Sequence, residues 1–455
     1  MYVSELISQK LHVSLEQVHK PTVAPDPNEQ ELAKDPFAYA EPHLVVCGQV
    51  ERIRDSYVTV KQNAGDKNAK HPLWSLDTID IPYTHLVYAL GSHMPDPLRH
   101  ESYTKKDGIQ WMKYNQKRID ESRDIIIIGG GALGVEMATD IASQCKKRGI
   151  SKNITLIHSR QQLLPNFDSR IHEVAYKELL DLDVHVVLGH RLATAEGCPL
   201  GSNIRQVANT TKASDVPKSK MDTIASTPRQ RVRTTLGLEL ECDLLLMCTG
   251  QHPNSELMAE FSPASVNPVS RLIRVLPSLQ VMQPTQGEAA QQPFSMVPPC
   301  IDCDCFLDKK SEGMHRIVDE INPMPPHFDN IYAIGDVADA FGALNAGYQA
   351  WFMAEVAAEN ILRDILRVKS TKEPSYHPLA PSDLIPLDSF KPGPPLLKLS
   401  IGLDKLVVQG APEQDTSVSG DPVRPTITIN AKQSEDMDPT PVWRMALADT
   451  SDLYA

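Results

Sequence analysis

The chain has 455 residues, with 45 Lys and Arg against 58 Asp and Glu for a formal charge of −13, and it holds 36 prolines but only 23 glycines. That length accommodates about two to three domains with a sizeable core. The acidic balance disfavours non-specific binding to nucleic acid, so no nucleic-acid partner is expected. No window approaches about 18 consecutive apolar residues, and the start, MYVSELISQKLHVS, lacks the charged, apolar and small-residue parts of a secretory signal. The eight cysteines are scattered, which suits a reducing, cytoplasmic setting rather than a disulfide scaffold.

In chain order, residues 1–40 read as an irregular arm. LVVCGQV and YVTVKQ are β-rich runs flanking a turn, hence a hairpin, and His85 to Leu90 forms a strand ending at Gly91. Residues 104–123 read as a helical connector. DIIIIGG is an apolar run of strand length, and Leu133, Met137, Ile141 and Cys145 recur at four-residue steps, a helical stripe. NITLIH is a strand, Asp168 to Leu182 a helix and VHVVL a strand. This alternation predicts an α/β fold with a parallel sheet and right-handed crossovers. Residues 197–229 form a polar insert, RVRTTLG and LEL a hairpin, and DLLLMCTG a buried strand. A second insert covers 283–326; NIYAIGDVAD then gives a strand and loop. Gln349 to Val368 reads as a helix with Phe352, Val356, Ile361 and Ile365 on its apolar side. KLSIGLDKLVVQG is a last hairpin, residues 411–440 read as disordered, and Trp443 is placed to dock the tail.

One motif stands out. Gly129, Gly131 and Gly134 have G-x-G-x-x-G spacing directly after an apolar strand and at the opening of an amphipathic helix. Gly129 permits the tight turn, Gly131 lets a pyrophosphate approach the backbone, and Gly134 lets helix and strand pack closely. The helix N-terminus then faces the phosphates with free N–H groups. A glycine-rich turn without a ligand is the plainer alternative. The second strand ends in His158, Ser159 and Arg160, where an NAD-binding chain carries an acid for the ribose hydroxyls. Nothing there repels a 2′-phosphate, and Arg160 matches phosphate geometry, so NADPH is tolerated or preferred. The alternative for Arg160 is a solvent-facing side chain. Cys300, Cys303 and Cys305, with His315 and His327, lack the paired spacing of a zinc site and read as free thiols, so no metal is expected.

Three more strands end in small-residue turns: THLVYALGS, LLLMCTGQHPNS and NIYAIGDVAD. With GGGALGVEMATDIA, ITLIHSR and RLIRVLPSLQV, their order resembles the pyridine nucleotide-disulfide oxidoreductase superfamily, and within it the apoptosis-inducing-factor-like and ferroptosis-suppressor-like flavoproteins. The resemblance covers about residues 44–410 without the inserts. It implies a two-dinucleotide-binding-domain flavoprotein fold. In that layout 41–115 and 261–368 (with insert 283–326) are parts of an FAD domain, 116–260 (with insert 197–229) is the inserted NAD(P)H domain, and 369–455 is a C-terminal segment.

The resemblance also implies roles. Gly129, Gly131, Ala132, Leu133 and Gly134 would hold the NAD(P)H pyrophosphate, with His158 and Arg160 at the adenosine end. Glu136 would lie near the nicotinamide ribose, and Thr249 and Gly250 would close over the nicotinamide. Asp336 would meet the FAD ribityl or phosphate region, with Gly335 giving clearance; Val50 would meet the adenine; Ala89, Leu90 and Gly91 would form the crossover beside the flavin. Asp336 as a plain turn residue and Val50 as a plain strand residue are the alternatives. The implied activity is hydride transfer from NAD(P)H to FAD and on to a quinone-like acceptor. The flavin does that chemistry, so no side chain is named catalytic.

The chain departs from the family pattern at its start. The first 47 residues contain no glycine, so the family's FAD-phosphate loop is not there. An incomplete chain, a degenerate relative and a partner-supplied unit each account for this. No cysteine pair of disulfide-reductase type precedes Gly91, where only Cys47 occurs, so disulfide reduction is disfavoured. A flavin-free NAD(P)H-binding module is therefore the alternative function, and a pure interaction protein a third. Relatives associate with mitochondria or membrane surfaces, so the resemblance leaves a mitochondrial or peripheral-membrane location open beside the cytoplasmic one.

Overall fold

The computed structural model describes residues 46, 48–62, 77–95, 98–100, 104–193, 229–284, 325–372, 386–412, 424–432 and 440. The chain divides into two compact units: Met1–Ser92, Pro253–Gly393 and Pro439–Ala455 form one, and His93–His252 with Pro394–Asp438 form the other. The 1–40 arm, most of both inserts, Cys300, Cys303, Cys305, His315 and Trp443 lie outside the described residues.

The second unit is built on four parallel strands in the order Leu244–Met247, Asp124–Ile128, Asn153–Ile157, His185–Val187. The strand of four isoleucines takes a central place because both its faces are covered: Ile125 to Ile128 are all buried. Its start is pinned by Asp243, whose carboxylate accepts the Arg123 and Asp124 N–H groups at 2.9 Å each. Helix Ala132–Arg148 follows the glycine loop and stops at Gly149, which sits at φ 66°, a left-handed cap. Its buried face is Val135, Ala138, Ile141, Ala142 and Cys145. The stripe expected through Leu133 and Met137 is displaced by about one position: Leu133 is 36% exposed. The reason is the small residues, since Gly134 and Ala138 let the backbone itself come close to the sheet.

The three-stranded antiparallel sheet Leu397–Ser400, Lys405–Pro412, Pro425–Ala431 belongs to this unit. The hairpin expected over KLSIGLDKLVVQG is present. Within the expected disorder over 411–440, the described residues 424–432 are a correction, since Pro425–Ala431 is a strand paired along Lys405–Pro412; 413–423 and 433–439 lie outside the described residues. Leu399, Ile401 and Val407 are buried in the same cluster as Ala138, Ile141 and Leu156, so this C-terminal sheet shares the core of the parallel sheet.

In the first unit, Gly48–Ile53, Tyr57–Gln62 and Thr78–Pro82 form an antiparallel sheet. Strand His327–Ala333 lies between Gln280–Met282 (antiparallel) and Leu86–Tyr88 (parallel). Helix Gly347–Lys372 covers this core with Met353, Ala354, Ala357 and Ile361. Phe352, expected on the apolar side, is instead 47% exposed. The alanines at 354, 357 and 358 bring the opposite face of the helix to the core.

Candidate functional site

The loop Gly129–Gly134 joins strand Asp124–Ile128 to helix Ala132–Arg148. Gly129 adopts φ 114°, and a Cβ there would sit 2.5 Å from both the Cys248 carbonyl oxygen and Thr249 Cγ2. A Cβ on Gly134 would overlap the Gly129 carbonyl oxygen and lie 3.3 Å from Cys248 Cβ. These two glycines exist for packing. Gly131 differs: it is the helix N-cap at φ −80°, and a Cβ there meets nothing within 4 Å. No side chain caps this helix and its first turn holds no acid. The N–H groups of Ala132, Leu133 and Gly134, which the helix itself cannot use, are left for a ligand beside an open backbone. Uncapped donors, the helix dipole and an open approach suit a diphosphate.

Gly130 received no role from the sequence, yet it is held on every side. Its N–H donates to His158 Nδ1 at 3.0 Å, and its carbonyl accepts the Leu164 N–H at 2.8 Å. A Cβ would meet Leu163 Cδ2 at 2.5 Å. The sequence signal was the third consecutive glycine, one more than the spacing rule needs. His158 is thus turned under the loop. Burial lowers its pKa, Arg160 and His172 act in the same direction, and the Gln162 backbone opposes them. Arg160 is exposed, and among the described residues its guanidinium makes no ion pair.

Thr249 and Gly250 lie exposed after strand Leu244–Met247, with Gly250 at φ 76°. Cys248 beside them is a free thiol pushed up to about 12 by burial, so it is not a nucleophile at neutral pH. Glu136 is half-buried on the helix, and its carboxylate accepts the Ser400 N–H at 3.1 Å. Burial raises its pKa, partly offset by that bond. The structure therefore sets Glu136 against the C-terminal sheet, a contact across 264 positions that no local pattern announces.

The remaining named residues lie in the first unit. Val50 pairs with Val60 and packs against the small cluster of Val60 and Ile79, as a strand residue does. Ala89, Leu90 and Gly91 follow strand Leu86–Tyr88, with Gly91 at φ 62°. Asn254, unassigned by the sequence reading, clasps them. Its N–H donates to the Gly91 carbonyl at 2.9 Å and its Nδ2 to the Leu90 carbonyl at 2.8 Å, while its own carbonyl accepts the Tyr88 hydroxyl at 2.6 Å. Gly335 at φ 74° opens the short turn Gly335–Val337, and Asp336 accepts the Ser92 hydroxyl at 2.9 Å. The fit to FAD is partial: this turn is formed, but no glycine phosphate loop for a second dinucleotide lies among the described residues. For NAD(P)H, the glycine loop and the uncapped helix start are both formed.

An open glycine loop between a buried parallel strand and its helix defines a dinucleotide-binding unit. Residues 45–271 match the pyridine nucleotide-disulphide oxidoreductase family. Fe-regulated protein 8 of Mycosarcoma maydis is 30% identical over 419 residues, which cover 88% of this chain and 79% of that one. Ferroptosis suppressor protein 1 of Homo sapiens is 26% identical over 328 residues, 71% of this chain and 63% of that one. Among solved structures, reduced Bacillus anthracis CoADR-RHD aligns with a TM-score of 0.43 at 16% identity, covering 81% of this chain and 48% of that one. The chain belongs to the pyridine nucleotide-disulphide oxidoreductase family, whose fold carries two dinucleotide-binding domains and whose members use FAD and NAD(P)H.

Proposed function

We propose that the chain is an NAD(P)H oxidoreductase of this family that takes its hydride preferentially from NADPH and passes electrons to a quinone-like acceptor. One observation carries the reading: Gly131 presents open backbone at an uncapped helix N-terminus, while Gly129, Gly130 and Gly134 are locked by their surroundings. FAD, when bound, accepts the hydride and delivers electrons singly or in pairs. The chain's own residues bind and orient. The Ala132, Leu133 and Gly134 N–H groups hold the diphosphate, Arg160 offers its guanidinium to the 2′-phosphate, and Thr249 and Gly250 border the nicotinamide end. With its high pKa, the Cys248 thiol stays protonated, which supports transfer without a thiol intermediate.

The test is to purify the chain, add FAD, and follow NADPH and NADH oxidation with a soluble quinone. Flavin retention and quinone-dependent oxidation, faster with NADPH, are expected. A chain that binds neither nucleotide overturns the reading. A flavin-free NAD(P)H-binding module is the second reading, since among the described residues one open glycine loop for a dinucleotide is formed. It is the one to keep if NADPH binds and FAD does not.

A further inference from the structure

His158 has a feature that its place at the end of the second strand does not account for. It is 9% exposed, its Nδ1 accepts the Gly130 N–H at 3.0 Å, and its Nε2 is buried without a hydrogen-bond partner among the described residues. Because Nδ1 accepts, the proton sits on Nε2. That N–H is buried with no partner at hydrogen-bond geometry among the described residues, only the Gln162 backbone favouring its proton, so it contributes little. The use of this imidazole therefore lies in Nδ1, as the acceptor for one peptide of the phosphate loop.

We propose that His158 is a positioning residue that keeps the loop in its binding shape only as the neutral Nε2–H tautomer, so that NAD(P)H affinity falls when the imidazole takes up a proton. The inference rests on the loop being the NAD(P)H site. The Gly130 peptide is fixed from both ends, by His158 and by the Leu164 N–H, and the next residue is Gly131, whose backbone is the open one. Protonation sets a second N–H against the Gly130 N–H with no acceptor between them. Relieving that contact rotates the peptide that aims the loop's donors.

The titratable and charged groups around the ring set the sign. Arg160 lies on its own loop. His172, on helix Ser169–Asp181, uses its Nδ1 to accept the Leu163 N–H at 3.0 Å. His190 donates its backbone N–H to the His158 carbonyl and turns its ring to Thr234. The Gln162 backbone favours the protonated ring, but among these described neighbours there is no carboxylate to stabilise an imidazolium, and burial, the largest effect, opposes it. The ring is neutral at pH 7, and the loss of affinity comes on acidification below the ordinary histidine range. The strand anchors the residue's backbone independently, since the His158 N–H bonds to the Val187 carbonyl, so side-chain substitution leaves that pairing intact.

The experiment measures NADH affinity of the full chain by tryptophan quenching between about pH 8 and pH 5.5. NADH is the probe because it lacks the 2′-phosphate that itself titrates near this range. The parent is expected to weaken by up to about tenfold per pH unit below the imidazole pKa. His158→Asn, whose Oδ1 accepts the same N–H without titrating, is expected to bind within a few-fold of the parent at pH 8 and to show a flat profile. His158→Leu is expected to bind at least about tenfold more weakly at pH 8, the loss of one buried hydrogen bond. If His158→Leu fails to fold, the Asn profile decides. A pH-dependent loss that persists in His158→Asn, an affinity that rises on acidification, or a flat parent profile with intact binding overturns the inference and leaves the proposed function standing. If the parent binds NADPH but not NADH, the same three profiles are read with NADPH; binding of neither nucleotide at pH 8 overturns both.

Discussion

Substituting Gly131→Ala separates folding from binding at this site. The residue sits at φ −80°, which alanine adopts freely, and its Cβ would meet nothing within 4 Å. Alanine is a poorer N-cap than glycine by about 0.5–1 kcal/mol. It also restricts the unfolded chain, which returns about 0.4–1 kcal/mol. The two nearly cancel, so stability in urea should stay within about 0.5 kcal/mol of the parent. Binding should not. The new methyl occupies the space through which a diphosphate reaches the Ala132 and Leu133 N–H groups, and one charge-assisted hydrogen bond lost corresponds to about 1.5–3 kcal/mol. The NADPH dissociation constant should rise roughly ten- to hundredfold by titration calorimetry. Unchanged NADPH affinity would show that no phosphate lies there, and a loss of stability above about 1.5 kcal/mol would show that the position is not open.

Gly134→Ala should behave in the opposite way, because its Cβ overlaps the Gly129 carbonyl, a backbone atom that cannot swing aside. Thermal unfolding should register a loss of at least about 1–3 kcal/mol, and an unshifted melting temperature would refute the packing argument. Arg160→Ala should weaken NADPH roughly ten- to hundredfold and leave NADH unchanged; an equal loss for both nucleotides would remove the 2′-phosphate role. Asp140 has a buried, unpartnered Oδ1, and burial raises its pKa from 3.8 to about 6 against the pull of Lys432. The folded state therefore holds this proton more tightly than the unfolded one. The group's stability contribution is full below pH 3.8 and is lost as pH rises through about 6. Two pKa units correspond to about 2.7 kcal/mol, and partial exposure reduces this to about 1–2. Asp140→Asn should stabilise by that amount at pH 8 and by little at pH 4, and equal effects at both would contradict the assignment. Cys242 and Cys248, both pushed up to about 12 by burial, should resist alkylation at pH 8 in peptide-resolved mass spectrometry. Rapid labelling of Cys248 would reopen thiol chemistry.

The phosphate loop was legible because its information is local. An apolar strand, three spaced glycines and a helical stripe lie within one short stretch, and Gly129 and Gly134 answer to steric demands of neighbouring backbone. The parallel sheet followed from alternation of strand and helix, which chirality and loop length restrict to few topologies. Leu133 and Phe352 were assigned to apolar faces by four-residue steps, but small residues beside them turned each helix to bring backbone closer to the core. Strand Pro425–Ala431 was missed although Thr and Ile alternate in it, because the run is short and set in a polar stretch, and the ladder that defines it is made by the distant Lys405–Pro412.

By itself the sequence determined that a glycine loop of dinucleotide-binding spacing lies at residues 129–134, and that an arginine rather than an acid follows the second strand. Tertiary structure alone decided what surrounds those residues. It turned His158 beneath the loop to take the Gly130 N–H, bound Glu136 to Ser400, and set Asn254 over residues 88–91. The reason is physical. Backbone conformation and helix period are properties of adjacent residues and can be read along the chain. A side chain's hydrogen-bond partner, and the proton it can then carry, depend on which distant segment the packed core brings within 3 Å.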